Sequence, residues 1–107
     1  MAATLTEKEF SQHLTSKYRV NVDHEVPIEL ELVEVKPHEK LPIEPDGMER
    51  FSIYFRGPEK ILLPQGTYSV THEQMGDFIL FLVPIAREEE GFRYEAVFNY
   101  YIKQDDV

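Results

Sequence analysis

The residues of this chain that could move a proton or hold a metal near neutral pH are its four histidines, His13, His24, His38 and His72. No two of them stand at the i, i+4 spacing that aims two imidazoles from one helix face at a single ion. Asp23-His24-Glu25 would contribute to any site that folding assembled around it, yet the plainer reading of these histidines is solvated loop positions. His72 differs, because Tyr68, Val70 and His72 share one face of a strand pattern, which suits a hydrogen-bonded histidine at the edge of a core. Glu29 and Glu31 stand about 7 Å apart on one strand face, a span open to paired-carboxylate chemistry. Their alternation with Ile28, Leu30 and Leu32 places them on a wet face, which suits a solubilising role rather than acid/base work. Arg50 and Arg56 could fork onto a carboxylate or phosphate, but 20 acidic residues make a surface ion pair the simpler expectation. The five glycines are scattered, so no phosphate loop exists, and neither a Gly-x-Ser-x-Gly elbow nor a His-Glu-x-x-His helix occurs. With no cysteine there is no disulfide, thiolate ligand or thiol nucleophile. The sequence therefore assigns no catalytic residue, no metal ligand and no cofactor.

The elements that would position these groups are mostly strands. Thr6 and Glu9 form a capping box, with Leu5 and Phe10 as its hydrophobic staple, and predict a helix running to about Leu14. Phe10 and Leu14 share its one narrow apolar stripe, so the helix should cap the end or side of a sheet. Alternation then predicts strands with inward Tyr18, Val20 and Val22, inward Ile28, Leu30 and Leu32, and inward Phe51, Ile53 and Phe55. Val33 and Val35 break the second alternation, which indicates a β-bulge. Gly57-Pro58 and Leu63-Pro64-Gln65-Gly66 are turns, and Gln74-Met75-Gly76-Asp77 is a hairpin tip. The strand from Phe78 to Val83 is apolar on both faces and is expected to be covered on both. The last strand alternates Phe92, Tyr94, Ala96, Phe98, Tyr100 and Ile102 against Arg93, Glu95, Val97, Asn99 and Tyr101. The loop from Lys36 to Gly47, with Pro37, Pro42 and Pro45, is long for a small domain and suits a binding element. Arg87 to Gly91 reads as a charged hairpin tip, and the tail Gln104–Val107 as frayed.

A chain of 107 residues fits one domain over 1–107 with one core. Its net charge of −9 opposes non-specific binding to nucleic acid and to anionic membranes. The apolar run Phe78 to Ala86 is far short of a membrane-spanning helix, and the N-terminus lacks the basic and apolar regions of a signal peptide. A cytoplasmic location is the expectation.

Glu49-Arg50-Phe51-Ser52 with Phe55-Arg56-Gly57-Pro58, then Leu63-Pro64-Gln65-Gly66-Thr67-Tyr68, Met75-Gly76, Phe81-Leu82-Val83-Pro84 and Tyr94-Glu95-Ala96-Val97-Phe98-Asn99, form a recognisable series. It resembles a family of short uncharacterised bacterial domains, often encoded beside phage-tail-collar-like proteins. The resemblance runs from Leu5 to Tyr101, and the Leu-Pro-Gln-Gly-Thr-Tyr block is its most specific part. It implies no catalytic residue, and it points towards an accessory or structural part of a tail-like assembly.

The expected fold is mainly β: a small antiparallel barrel or strongly curved sheet of about six strands with one N-terminal helix. The expected function is a non-enzymatic protein-interaction or accessory structural module whose partner is another protein or a second copy. Its docking residues would be Pro42, Ile43, Tyr54, Arg56 and Tyr101, from the proline-containing loop and an outer aromatic face. The alternative is a small-molecule-binding domain or enzyme at the barrel mouth, using His24, Glu25, Arg56 and His72. An acidic inhibitor of a basic enzyme is a third reading, and it requires a contiguous acidic face.

Overall fold

The computed structural model describes residues 5–23, 25–39, 41–43 and 48–101, with Tyr101 described by its backbone alone. The expectations for His24, for the Tyr101 side chain and for the tail therefore lie outside the described residues. The chain runs α1 (Glu7–Ser11), β1 (Lys17–Asn21), β2 (Ile28–Pro37), β3 (Met48–Arg56), β4 (Gly66–His72), β5 (Gly76–Glu88) and β6 (Gly91–Tyr101). The strands close into an antiparallel barrel in the order β1-β2-β3-β6-β5-β4. Two consecutive meanders, β1-β2-β3 and β4-β5-β6, are sealed by the β3–β6 and β1–β4 ladders. Closure spares most of the edges that an open sheet would leave unpaired.

Period-two alternation turns Tyr18, Val20, Leu30, Leu32, Phe51, Ile53, Phe55, Val70, Leu80, Leu82, Tyr94 and Ala96 inward, and all of them are buried. So narrow a barrel has no lumen; its interior is a packed core. The bulge expected at Val33 is present, as a register shift between Leu32 and Glu34. A second shift between Pro84 and Ala86 accommodates a proline that could not donate to a regular ladder.

Each end of the barrel is stopped by an apolar side chain. At one end α1 packs on β2 and β3 and drives Phe10 between Phe51, Phe78 and Phe98, with ring centroids 6.0, 6.0 and 5.4 Å away. Thr6 Oγ1 accepts the Glu9 amide at 3.1 Å, as the capping box requires, and the Glu49 carboxylate accepts the Glu7 amide at 2.9 Å. At the other end the β3–β4 connection inserts Leu63, whose amide donates to the buried Tyr94 hydroxyl at 2.8 Å. The Tyr68 hydroxyl donates to the Pro64 carbonyl at 2.5 Å and holds the same turn.

Two expectations are corrected. The helix stops at Ser11 rather than near Leu14, and Leu14 is 41% exposed instead of sharing the Phe10 stripe. The cause is Thr15, whose φ of 65° reverses the chain so that its amide meets the Leu32 carbonyl at 2.8 Å. The strand β5 is covered on one face only: Leu80 and Leu82 are buried, while Ile79 is 66% and Phe81 51% exposed. A five-residue helix seated over the barrel end cannot also cover the barrel wall.

Gly76 and Gly91 both have positive φ, 83° and 135°, but their surroundings differ. A methyl group at Gly76 would meet nothing within 4 Å, whereas at Gly91 it would lie 1.8 Å from the Gly57 carbonyl oxygen. Gly76→Ala should cost about 1 kcal/mol, and Gly91→Ala at least about 3 kcal/mol, because strain and a backbone clash add. Urea unfolding of the two variants checks the order.

Candidate functional site

The densest polar cluster lies where α1 joins the barrel. His72, inward on β4, packs at a tilt against His13 and Tyr18 with ring centroids 4.8 and 4.4 Å away. Its Nδ1 accepts backbone N–H groups from Gln74 and Met75, both at 3.1 Å. A nitrogen that accepts two donors carries no proton, so the ring proton resides on Nε2 and is donated to Ser16 Oγ at 2.9 Å. Ser16 in turn donates to the His13 carbonyl.

Serine beside histidine suggests a nucleophile and its base, but the proton runs the wrong way. A general base needs a free lone pair facing the hydroxyl, and here the lone pair is engaged on the opposite side of the ring. The cluster is a latch that ties the helix–β1 turn to the β4–β5 hairpin, in keeping with the core-edge reading of His72. Beside it the Tyr18 hydroxyl donates to Met75 Sδ at 3.4 Å, and burial pushes its pKa up to about 12.

The outer wall over β1, β2, β3 and β6 is a charge lattice. Glu31 takes Arg56 at 3.0 Å and Lys17 at 3.7 Å, and Arg56 also reaches Glu90 at 2.6 Å. The Arg56 hydrogen bond holds the Glu31 carboxyl below the usual carboxylate range. Arg93 meets Glu34 at 2.6 Å and lies over the Tyr54 ring at 4.8 Å, while the Tyr54 hydroxyl donates to Glu95 at 2.9 Å. Tyr54 and Arg56, two of the expected docking residues, are thus both engaged within the wall. Of the loop residues, Pro42 and Ile43 are exposed, Ile43 at 90%. His38 instead docks on β3, its Nε2 2.8 Å from Ser52 Oγ.

The groups expected at a barrel-mouth pocket are not gathered. His72 pairs with Tyr18 near the start of β1, whereas Glu25 lies beyond the far end of that strand. Glu25 borders an open recess with Val26, Ile28 and Ile61, where it is the one titratable lining residue among the described residues. Among the described residues, no group of three or more histidine or acidic side chains could hold a metal ion. No helix among the described residues is long and apolar enough to cross a membrane.

The alternation of the last strand already turned Val97 outward with Tyr101, but the wall around it, formed by β4, β5 and the second half of β6, was missed. Ile79, Phe81 and Val97 project from it, Val97 at 58% exposure, beside the uncharged Thr67, Ser69 and Asn99. Its signal was present in the doubly apolar run Phe78 to Val83, which was expected to mean coverage.

The chain belongs to the family described as Domain of unknown function (DUF6916), whose model matches residues 5–98. No curated protein and no solved structure matches it.

The latch makes stability depend on pH. Burial first, and then the His13 ring, hold the His72 pKa below the ordinary imidazole value, with Glu73 opposing. The unfolded chain regains a value of about 6.5 and binds the extra proton, so this contribution is complete above that pH. It is lost as pH falls from there through the folded-state pKa. Between about pH 7.5 and about pH 5.5 the urea midpoint of the wild type should fall further than that of His72→Gln; equal falls would contradict the assignment.

Proposed function

We propose that this family member is a non-enzymatic protein-interaction module, an accessory structural part of a larger assembly that acts through the outside of its barrel. The observation that carries this reading is the group Ile79, Phe81 and Val97, exposed on a wall where, among the described residues, none of the ion pairs that occupy the opposite wall is found. Large apolar side chains clustered in water are costly unless a partner covers them. The interior is already filled by its own aromatic and aliphatic residues, and both ends are stopped, so the outer wall is the surface left for recognition. The sequence resemblance to domains encoded beside phage-tail-collar-like proteins supports a tail-like setting.

Tyr54 is engaged by Glu95 and Arg93, and Arg56 by Glu31 and Glu90, which supports placing the proposed docking surface on the β5 wall instead. Pro42 and Ile43 remain available as a second contact. The recess at Glu25 offers one carboxylate among aliphatic side chains, which supports the small-molecule or enzyme alternative less well.

A photo-crosslinking residue at position 81, compared with one at position 17 in the charge lattice, tests the reading in cells of the native host. The module predicts a discrete protein adduct, to another protein or to its own chain, from position 81 and not from 17. No adduct from 81, or the same pattern from both positions, would contradict it.

A further inference from the structure

The Ser16–His72 latch joins the plug of the barrel to a group that changes charge near neutral pH. Among the described residues the β5–β6 ladder runs over Val83–Glu88 against Gly91–Glu95, and Phe10 fills the seam beyond it between Phe78 and Phe98. His72 is buried, its ring held between His13 and Tyr18. Its Nδ1 faces the Gln74 and Met75 amides, and both are donors. A proton on Nδ1 sets three N–H groups against one another with no acceptor among them. Turning the ring over gives no relief, since the protonated ring donates from both nitrogens. Only the neutral ring fits the closed latch.

We infer that the latch is a pH-sensitive release: a proton on His72 frees the segment from Leu5 to Ser16, and Phe10 leaves the barrel end while the strand ladders stay paired. This inference goes beyond the docking reading and uses none of its residues. Attachment decides which part yields. His72 sits on β4, which is laddered to β1 on one side and to β5 on the other. The helix has five residues, too few to hold itself in water. Its segment is held by the Phe10 side chain, the Glu7–Glu49 bond, the Tyr100 hydroxyl on the Leu5 carbonyl and the Thr15 amide on Leu32.

The charges around the ring favour the same outcome. From α1 and its turn come His13, which opposes the proton, and Glu9, which stands 3.7 Å from His13 Nε2. From the hairpin comes Glu73, which favours the proton. Tyr18 of β1 keeps its own proton throughout the neutral range. Lys17 and Arg19 on β1 and Asp77 on β5 are exposed on the outer wall. A charged ring is therefore drawn to the hairpin side and repelled from the helix side, so the helix side gives way. Once His13 and Ser16 move off, the ring turns to water and regains an ordinary value of about 6.5. Release thus takes up one proton and grows as pH falls below that value.

Native-state hydrogen exchange on the full chain at about pH 7.5 and about pH 5.5, expressed as protection against the intrinsic rate at each pH, reads the release. The Phe10 and Thr15 amides, bonded to Thr6 and Leu32, should lose between about twofold and about tenfold in protection, the upper figure being the most that one proton allows. The Gly57 and Leu63 amides at the other end, bonded to Phe92 and Tyr94, should keep theirs. His72→Asn sets a side-chain oxygen where Nδ1 stands and does not titrate, so it should remove the loss. A wild-type loss below about twofold, an equal loss at Gly57 and Leu63, or a loss that persists in His72→Asn overturns the inference. Should that variant not fold, the wild type still decides. The His72 ring carbon signals should titrate over the pH range in which Thr15 loses protection, and titration outside that range overturns the release.

Discussion

The constraint on which the structure depends is that a short barrel with a solid core must be stopped at both ends. Phe10 does this at the end where β5 and β6 part, and it is fully buried among Tyr18, Phe51, Phe78 and Phe98. Burying such a side chain contributes roughly 1.5–3 kcal/mol, with aromatic pairing in addition. The rest of the N-terminal segment serves this insertion. The Thr6 cap starts the helix, Glu49 meets its free amide, Thr15 reverses the chain, and the Ser16–His72 latch fixes the turn to the hairpin below. Leu63 answers for the other end, anchored by the Tyr94 hydroxyl.

This arrangement explains why polar residues that resemble catalytic groups have structural work. His72 has both ring nitrogens engaged, Arg56 bridges Glu31 and Glu90, and Tyr54 lies beneath Arg93. The Leu-Pro-Gln-Gly-Thr-Tyr block builds the Leu63 stopper and the Pro64–Tyr68 clasp.

Much of the fold was legible because strand alternation is enforced by burial: a one-residue slip in Phe51, Ile53 and Phe55 would turn all three into water. The capping box and the bulge at Val33 were legible for the same local reasons. Closure and strand order were not, because the β3–β6 and β1–β4 pairings join segments far apart in the chain. Leu14 was misplaced because nothing local signals a threonine in the left-handed region. The outer face of β5 was misread because an apolar run looks alike whether its second face is covered by a helix or left exposed. Pairings across strands, such as Tyr54 with Glu95, decide which outer residues are free, and one-dimensional periodicity does not contain them.

The account stands most directly on Phe10. Native-state hydrogen exchange on Phe10→Ala, set beside the wild type, measures what the stopper holds. The account predicts a loss of about 3–5 kcal/mol of global stability, with β1, β4 and the first half of β5 losing protection together because the latch and the seam open with the plug. A loss below about 1 kcal/mol with barrel protection unchanged would show that the barrel closes without its helix, and would contradict the account.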